Sequence, residues 1–485
     1  MLLLRNADCV LTLDPRRRIL EHYSVLIQDG VITAIGRAAE MDRQHLAACR
    51  TQGTVIEAAG RLVMPGYVNT HVHTFEHLSR GLIPDGLSTF AWAVTYARPF
   101  YAALTEQEAY IAARLACLEM LRNGTTCFVD ANILVSLGHL DAVAQAVTES
   151  GIRAVLGRGV FDQMPKEMTE AMAPELRGRV LSPSADAALD EIDVLLSRWT
   201  TSADGRIRAW ATVYGLFPYC SDELFVGLRT LADRHGVGMA FHIASSIEEA
   251  RAVEARVGAW PITHLDRLGV LSPKLLLTHC TAVTDHEVEL LVERGTKVAY
   301  CPGAALRLAK GTTRIGKIPE MLAAGVTVSL GADGVSSSGS FDHTRLASLA
   351  AGLFKDARMD PRLIPAEMAL EMATLYGARA VLWDDALGSV EIGKRADLTL
   401  YDLDGPEWVP RHDIVRNLVY CADGRSVRTV LVDGRIVYDG GRVDGIDAGK
   451  AIEEAQAAGE RIARRVGLDP RTRWPIVRGA EGQVG

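Results

Sequence analysis

The chain has 485 residues, of which 48% are hydrophobic, enough to bury a core larger than one small domain needs. Its net charge is −8, its 52 Lys and Arg form no basic run, and no apolar stretch reaches the ~20 residues of a membrane helix; a dedicated nucleic-acid binder and a membrane protein are excluded. Eight irregularly spaced cysteines without a C-x-x-C pair, and a start (MLLLRNADCVLTLDP) lacking signal-peptide features, point to a reduced cytoplasmic protein with neither a disulfide framework nor a cysteine-ligated zinc.

In chain order, Leu2 to Leu13 is apolar and β-rich. Tyr23 to Ile27, Asp29-Gly30 and Val31 to Ile35 read as a hairpin, two alternating runs joined by a turn that tolerates positive φ. Strands then alternate with helices. The candidate strands are Leu62 to Asn69, Thr125 to Asp130, Ile152 to Val160, Ile207 to Tyr214, Gly238 to Ile243, Lys274 to Cys280, Lys297 to Cys301 and Val326 to Asp333. Helices are expected at Glu106 to Arg122, Asp222 to His235, Asp285 to Arg294 and Ile318 to Ala324, and a long closing helix at Pro365 to Leu382. Arg395 to Leu403 reads as a strand, and Val427 to Val432, Asp433-Gly434 and Arg435 to Tyr438 as a second hairpin. Ala448 to Arg465 reads as an amphipathic outer helix.

Eight strands with helical crossovers predict an α/β fold, a parallel (β/α)₈ TIM barrel over residues 62–384. Neither terminal segment alone has enough strands to bury a face. Residues 1–61 and 385–445 are therefore expected to build one composite β-sandwich, followed by a helical tail at 446–485.

In a parallel barrel the catalytic side chains stand at the C-terminal strand ends. The first candidate strand delivers His71 and His73, the fifth His242, the sixth His279 and the eighth Asp333. His71 and His73 are two apart, so on extended backbone they share a side. A lone strand-end histidine is most often a hydrogen-bonded core residue. Four on three strands, with an aspartate on another, fit a bound divalent ion better: Zn²⁺ first, Fe²⁺ or Mn²⁺ as alternatives. For His279, metal ligation and substrate polarisation are both open.

The motifs MPGYVNTHVH, HLSRGL, FHIA, LLLTHC and SLGADG, with the tail ATLYGARAVL and LGSVEIGKRADLTLYD, resemble in order those of the amidohydrolase superfamily over nearly the whole chain. The closest branch contains guanine deaminase, adenosylhomocysteine deaminase and the triazine hydrolases. The resemblance implies one metal held by His71, His73, His242 and Asp333, and a His279 that orients and polarises substrate. Two-metal members carry a carbamylated lysine on the fourth strand. Arg206 to Tyr214 contains none, which implies a mononuclear site. The implied mechanism is activation of water for attack on an sp² carbon, with Asp333 taking its proton and His279 stabilising developing negative charge.

One departure stands out. Deaminases of this branch carry a glutamate in the pattern H-x-x-E after the fifth strand, to shuttle protons. Here the stretch is His242-Ile-Ala-Ser245, and serine does not titrate near neutrality. Glu248 and Glu249 are expected to start the next helix and face elsewhere, while Glu76, His77 and His343 are candidates to replace the lost group. His77, just past the ligand pair, is as suited to structure as to substrate contact; His343, in the eighth loop, and Trp92, in an aromatic cluster after the first strand, are further candidates for substrate contact, with Ser245 itself. The expected activity is hydrolysis of a C–N bond in a heteroaromatic or cyclic amidine substrate. The alternative is a metal-dependent cyclase closing a benzoxazole-type ring with loss of water. The expected organisation is a cytoplasmic homo-oligomer acting on an aromatic or heterocyclic small molecule, without nucleic-acid or membrane partners.

Overall fold

Two-residue turns with positive φ shape the terminal strands. Asp29 (φ 49°) and Gly30 (φ 79°) join Ile19–Gln28 to Val31–Arg37, and Asp433 (φ 54°) and Gly434 (φ 72°) join Val427–Val432 to Arg435–Asp439. Such turns match the twist of antiparallel strands. The two turns abut: a Cβ on Gly30 would lie 2.7 Å from the Asp433 carbonyl oxygen. This is a computed structural model, and it describes residues 1–132, 135–164, 166–171, 174–199, 203–215, 219–468 and 474.

Both ends of the chain enter one nine-stranded sheet. Leu2–Leu11 pairs antiparallel with Ile19–Gln28 and parallel with Thr54–Glu57 and Arg61–Pro65. Arg61–Pro65 pairs in turn with Leu398–Asp402, which pairs with Val427–Val432. Leu4, Val25 and Ile27 from the start share a buried cluster with Leu398, Leu400 and Leu431 from the end. Arg153, on the third barrel strand, donates from Nε and Nη2 to the two Asp397 oxygens at 2.9 and 3.0 Å, tying the barrel to this sheet.

The strand expected at Leu62 to Asn69 is two strands. Arg61–Pro65 lies in the terminal sheet and Tyr67–Val72 in the barrel. The change of partner falls at Gly66, whose N–H donates to the Asp397 carbonyl at 2.9 Å. The expected Ile207 to Tyr214 also divides. Ile207–Ala209 pairs with Arg153–Arg158, and Ala211–Gly215 pairs with Met239–Ile243. The barrel strands thus form an arc of four and an arc of five, joined through bridges between Val160 and Val213 and between Val72 and Asp333. Val68, Val129, Val155, Trp210, Ala240, Leu276 and Ala299 pack together inside, capped by Ala378, Trp383 and Leu387. Ala240 lies in this interior, so His242, two residues on, points to the same side at the C-terminal end.

Helices Glu106–Arg122, Asp222–His235 and Asp285–Arg294 have their expected bounds. Reciprocal capping boxes start two of them, Thr105 with Glu108 and Thr284 with Glu287. Pro365 to Leu382 is not one helix but two, Ala366–Ala373 and Leu375–Ala380, broken at Thr374 (φ −127°, ψ −82°). Ala448–Arg465 packs on the outside, where Arg465 Nη1 meets Glu108 Oε2 at 2.9 Å. Residues 469–473 and 475–485 of the expected tail lie outside the described residues. Among the described residues no helix is long and apolar enough to cross a membrane.

Candidate active site

Five side chains converge at the C-terminal strand ends, all buried: His71, His73, His242, His279 and Asp333. His242 Nδ1 donates to the Tyr214 carbonyl at 2.6 Å, so in the neutral ring Nε2 carries a lone pair. That Nε2 lies 3.1 Å from His71 Nε2 and 3.2 Å from His73 Nε2. Asp333 Oδ1 lies 3.6 Å from His71 Nε2 and 3.5 Å from His73 Nε2; its Oδ2 faces His279 Nε2 at 3.8 Å.

Protonation does not reconcile these groups. Burial, then the neighbouring His71, pulls His73 down to about 3, and burial with His71 and His73 pulls His242 well below the usual histidine range. The neutral His73 and His242 rings face one another with their Nε2 atoms 3.2 Å apart. Burial alone would push the Asp333 carboxyl up, but its interactions with His71, His279 and Lys310 hold it well below the usual carboxylate range. Three nitrogen donors and one carboxylate, with lone pairs converging in a buried space, fit one divalent cation. The ligand atoms of His71, His279 and Asp333 form a second close group, so the donor set extends to His279.

Backbone strain marks the same strand ends. His279 (φ 78°), Cys280 (φ 47°), Ala244 (φ 50°) and Asp333 (φ 62°) are all left-handed without being glycine. Asp333 N–H donates to the His71 carbonyl at 2.9 Å, which closes the eighth strand end onto the first.

Beside His279 stands a residue that sequence reasoning missed. Lys310 Nζ donates to Ser245 Oγ at 2.9 Å and lies 3.2 Å from His279 Nε2. Lys310 is buried, and burial pulls its ammonium below the usual lysine range. Burial, then Lys310, likewise pulls His279 well below the usual histidine range. Glu249 also departs from expectation. It lies in the first turn of Ile247–Val257, but its carboxylate turns back to accept the Ala244 and Ser245 N–H groups at 3.1 and 2.7 Å. It thereby fixes the turn that presents Ser245.

Residues 62–437 match the amidohydrolase family.

The chain belongs to that family.

Two relatives span nearly the whole length of this amidohydrolase. The 5-methylthioadenosine/S-adenosylhomocysteine deaminase of Desulforamulus reducens is 33% identical over 95% of this chain and 99% of that protein. The 5′-deoxyadenosine deaminase of Methanosarcina mazei is 35% identical over 96% of this chain and 99% of its own. An adenosine deaminase from Xanthomonas campestris, solved with bound zinc, superposes with a TM-score of 0.83 at 28% identity, covering 96% of this chain and 98% of that one. The atrazine chlorohydrolase of Arthrobacter aurescens shares the fold, with a TM-score of 0.83 at 24% identity over 95% of this chain and 100% of that one.

Three expected substrate contacts are placed differently. His77 of this amidohydrolase bonds Glu119 Oε2 at 3.0 Å and stacks edge-on against Phe341, where it lines an outer groove of about 810 Å³ beside Arg80 and Ile452 rather than joining the cluster. Its place in the sequence, four residues past His73, puts it in the tight turn Thr74–Ser79, which carries it away. His343 is fully buried, and its Nε2 meets the Leu330 carbonyl at 3.3 Å. It starts helix His343–Arg358 and packs against Tyr67, a structural position under the strand rather than in the loop. Trp92 is buried in the core cluster of the segment after the first strand, and among the described residues its Nε1 has no acceptor. Glu76, the remaining candidate shuttle, is buried and pushed up to about 7 by burial and by Asp333. It accepts from the Tyr101 hydroxyl, the Ser336 hydroxyl and the Ser336 N–H. Its lone pairs are committed to holding the first and eighth loops together.

Proposed function

We propose that this amidohydrolase is a mononuclear zinc aminohydrolase, which hydrolyses the C–N bond of an aminated heteroaromatic ring. The convergence of the His71, His73 and His242 Nε2 atoms, with Asp333 Oδ1 beside the first two, carries this reading. The names of the full-length relatives, deaminases of adenosine derivatives, and the zinc in the adenosine deaminase structure support it. No observation favours the ring-closing alternative.

His71, His73, His242 and Asp333 would hold the ion. When bound, it would supply Lewis acidity that makes water a nucleophile at neutral pH. Asp333 Oδ2, facing His279, is the acceptor for the water's proton. His279, kept neutral, orients the ring and donates to the nitrogen or oxygen on which charge develops. Lys310 Nζ takes the place of the missing carboxylate. It is a donor within reach of both Ser245 and His279, and carries a proton to the leaving nitrogen.

The test is ammonia release by the zinc-loaded enzyme from 5′-deoxyadenosine, methylthioadenosine, adenosylhomocysteine, aminopyrimidines and aminotriazines. Turnover of at least one ring class, with about one zinc per chain and loss of both metal and activity in His71→Ala, is expected. Full zinc occupancy without ammonia from any ring class would overturn the reading.

A further inference from the structure

Arg98 is 1% exposed, and a guanidinium stays charged at any physiological pH. Among the described residues it makes no ion pair, and its Nε and Nη1 are buried with no hydrogen-bond acceptor. Its guanidinium carbon lies 4.0 Å from the Tyr214 ring centre, with Phe161, Tyr219 and Tyr101 at 5.5, 5.8 and 6.0 Å. These rings return part of the lost hydration as cation–π attraction, while Nε and Nη1 find no hydrogen-bond partner among the described residues.

The place of this charge matters as much as its isolation. Tyr214 ends a barrel strand, its ring packs on His242 with centroids 5.1 Å apart, and its carbonyl orients that histidine. Arg98 is therefore one ring away from the candidate metal ligands, at the catalytic end of the barrel. Trp92 Nε1, on the same segment, is a second buried donor without an acceptor among the described residues. Across the site Lys310 is a second buried cation whose hydrogen-bond partners, Ser245 and His279, are not carboxylates. A neutral ligand would leave the charge of Arg98 uncompensated. A planar oxyanion would satisfy its fork and screen both cations.

We propose that Arg98 is the receptor for a carboxylate carried by the substrate, so that this amidohydrolase acts on an anionic aminated heteroaromatic compound. The inference rests on the reading of the strand ends as the active site, and not on which bond is broken there.

The experiment uses matched pairs on the zinc-loaded enzyme: adenin-9-ylacetate against adenin-9-ylacetamide, and 4-aminopyrimidine-5-carboxylate against its carboxamide. A hydroxyl-substituted pyrimidine tests a ring oxyanion in place of a carboxylate. Binding is read by calorimetry, and stability by thermal melting. The carboxylate should bind about 10- to 100-fold tighter than its carboxamide in at least one series. Arg98→Gln should erase that preference, leaving carboxamide affinity and Tm nearly unchanged. Equal affinity within both pairs, a preference for the hydroxyl ring alone, or an equal loss on both members in Arg98→Gln would overturn the proposal. If Arg98→Gln does not fold, the wild-type pairs and Arg98→Lys, which keeps the charge and loses the fork, decide it by the same preference. Tight carboxylate binding without ammonia release would overturn the C–N hydrolysis reading and leave Arg98 in place.

Discussion

A serine at position 245 has no proton to trade near neutral pH, yet it sits 2.9 Å from a Lys310 Nζ that carries three. The serine and the buried lysine belong together, because a glutamate at 245 would pair with Lys310 and draw it from His279. Ser245→Glu should therefore slow the native reaction, and a faster Glu variant would contradict this account. Lys310→Met keeps the volume and removes the donor. It should lower kcat about 10²-fold, in the range of a lost transition-state donor, with Tm unchanged. Lys310 could not be read in advance. In ALRLAKGTTR it looks like a solvated charge, and its contact spans 65 positions between two loops whose meeting only the closed barrel defines. His71, His73, His242 and Asp333 were legible because each follows an apolar strand at the same predicted end. Arg98 carried no signal, since a single arginine before a proline reads as surface.

The elements were legible where their determinants are local. Glu106–Arg122 and Asp285–Arg294 carry their own caps in sequence, and their bounds follow. The divided strands were not legible, because an apolar run reads the same whether it keeps one partner or changes it at Gly66 or Trp210. The strand ends are also where small changes should act strongly. A Cβ on Gly331 would lie 2.8 Å from His71 Cβ and 3.0 Å from Cys301 Sγ. His71 Cβ moves only with its backbone, whose N lies 3.2 Å away, so Gly331→Ala should displace His71 and weaken zinc binding at least ~10-fold, as metal titration would show. Glu249 gives a pH signature. Burial raises its folded pKa from 4.5 to about 8, so its stability contribution is complete below pH 4.5 and is lost as pH rises through 8. Across that window the Tm of metal-free wild type should drop relative to that of Glu249→Gln, whose slope lacks this loss; parallel Tm-against-pH profiles of the two proteins would refute it.

At the scale of the whole molecule, the terminal sheet joins residues more than 330 apart and braces the third barrel strand through Arg153 and Asp397. The echo of two Asp-Gly hairpins made the shared sheet legible, though not that their turns would touch. Gly30→Ala combines positive φ with that 2.7 Å approach, and should lower Tm by several degrees without changing kcat. In the proposed reaction this fold holds one ion in order to add water across a C–N bond. Turnover in H₂¹⁸O of whichever aminated ring releases ammonia tests it most directly. One ¹⁸O is expected in each product molecule per ammonia released, and none after zinc is removed. An unlabelled product, or one lighter by a lost water, would contradict it.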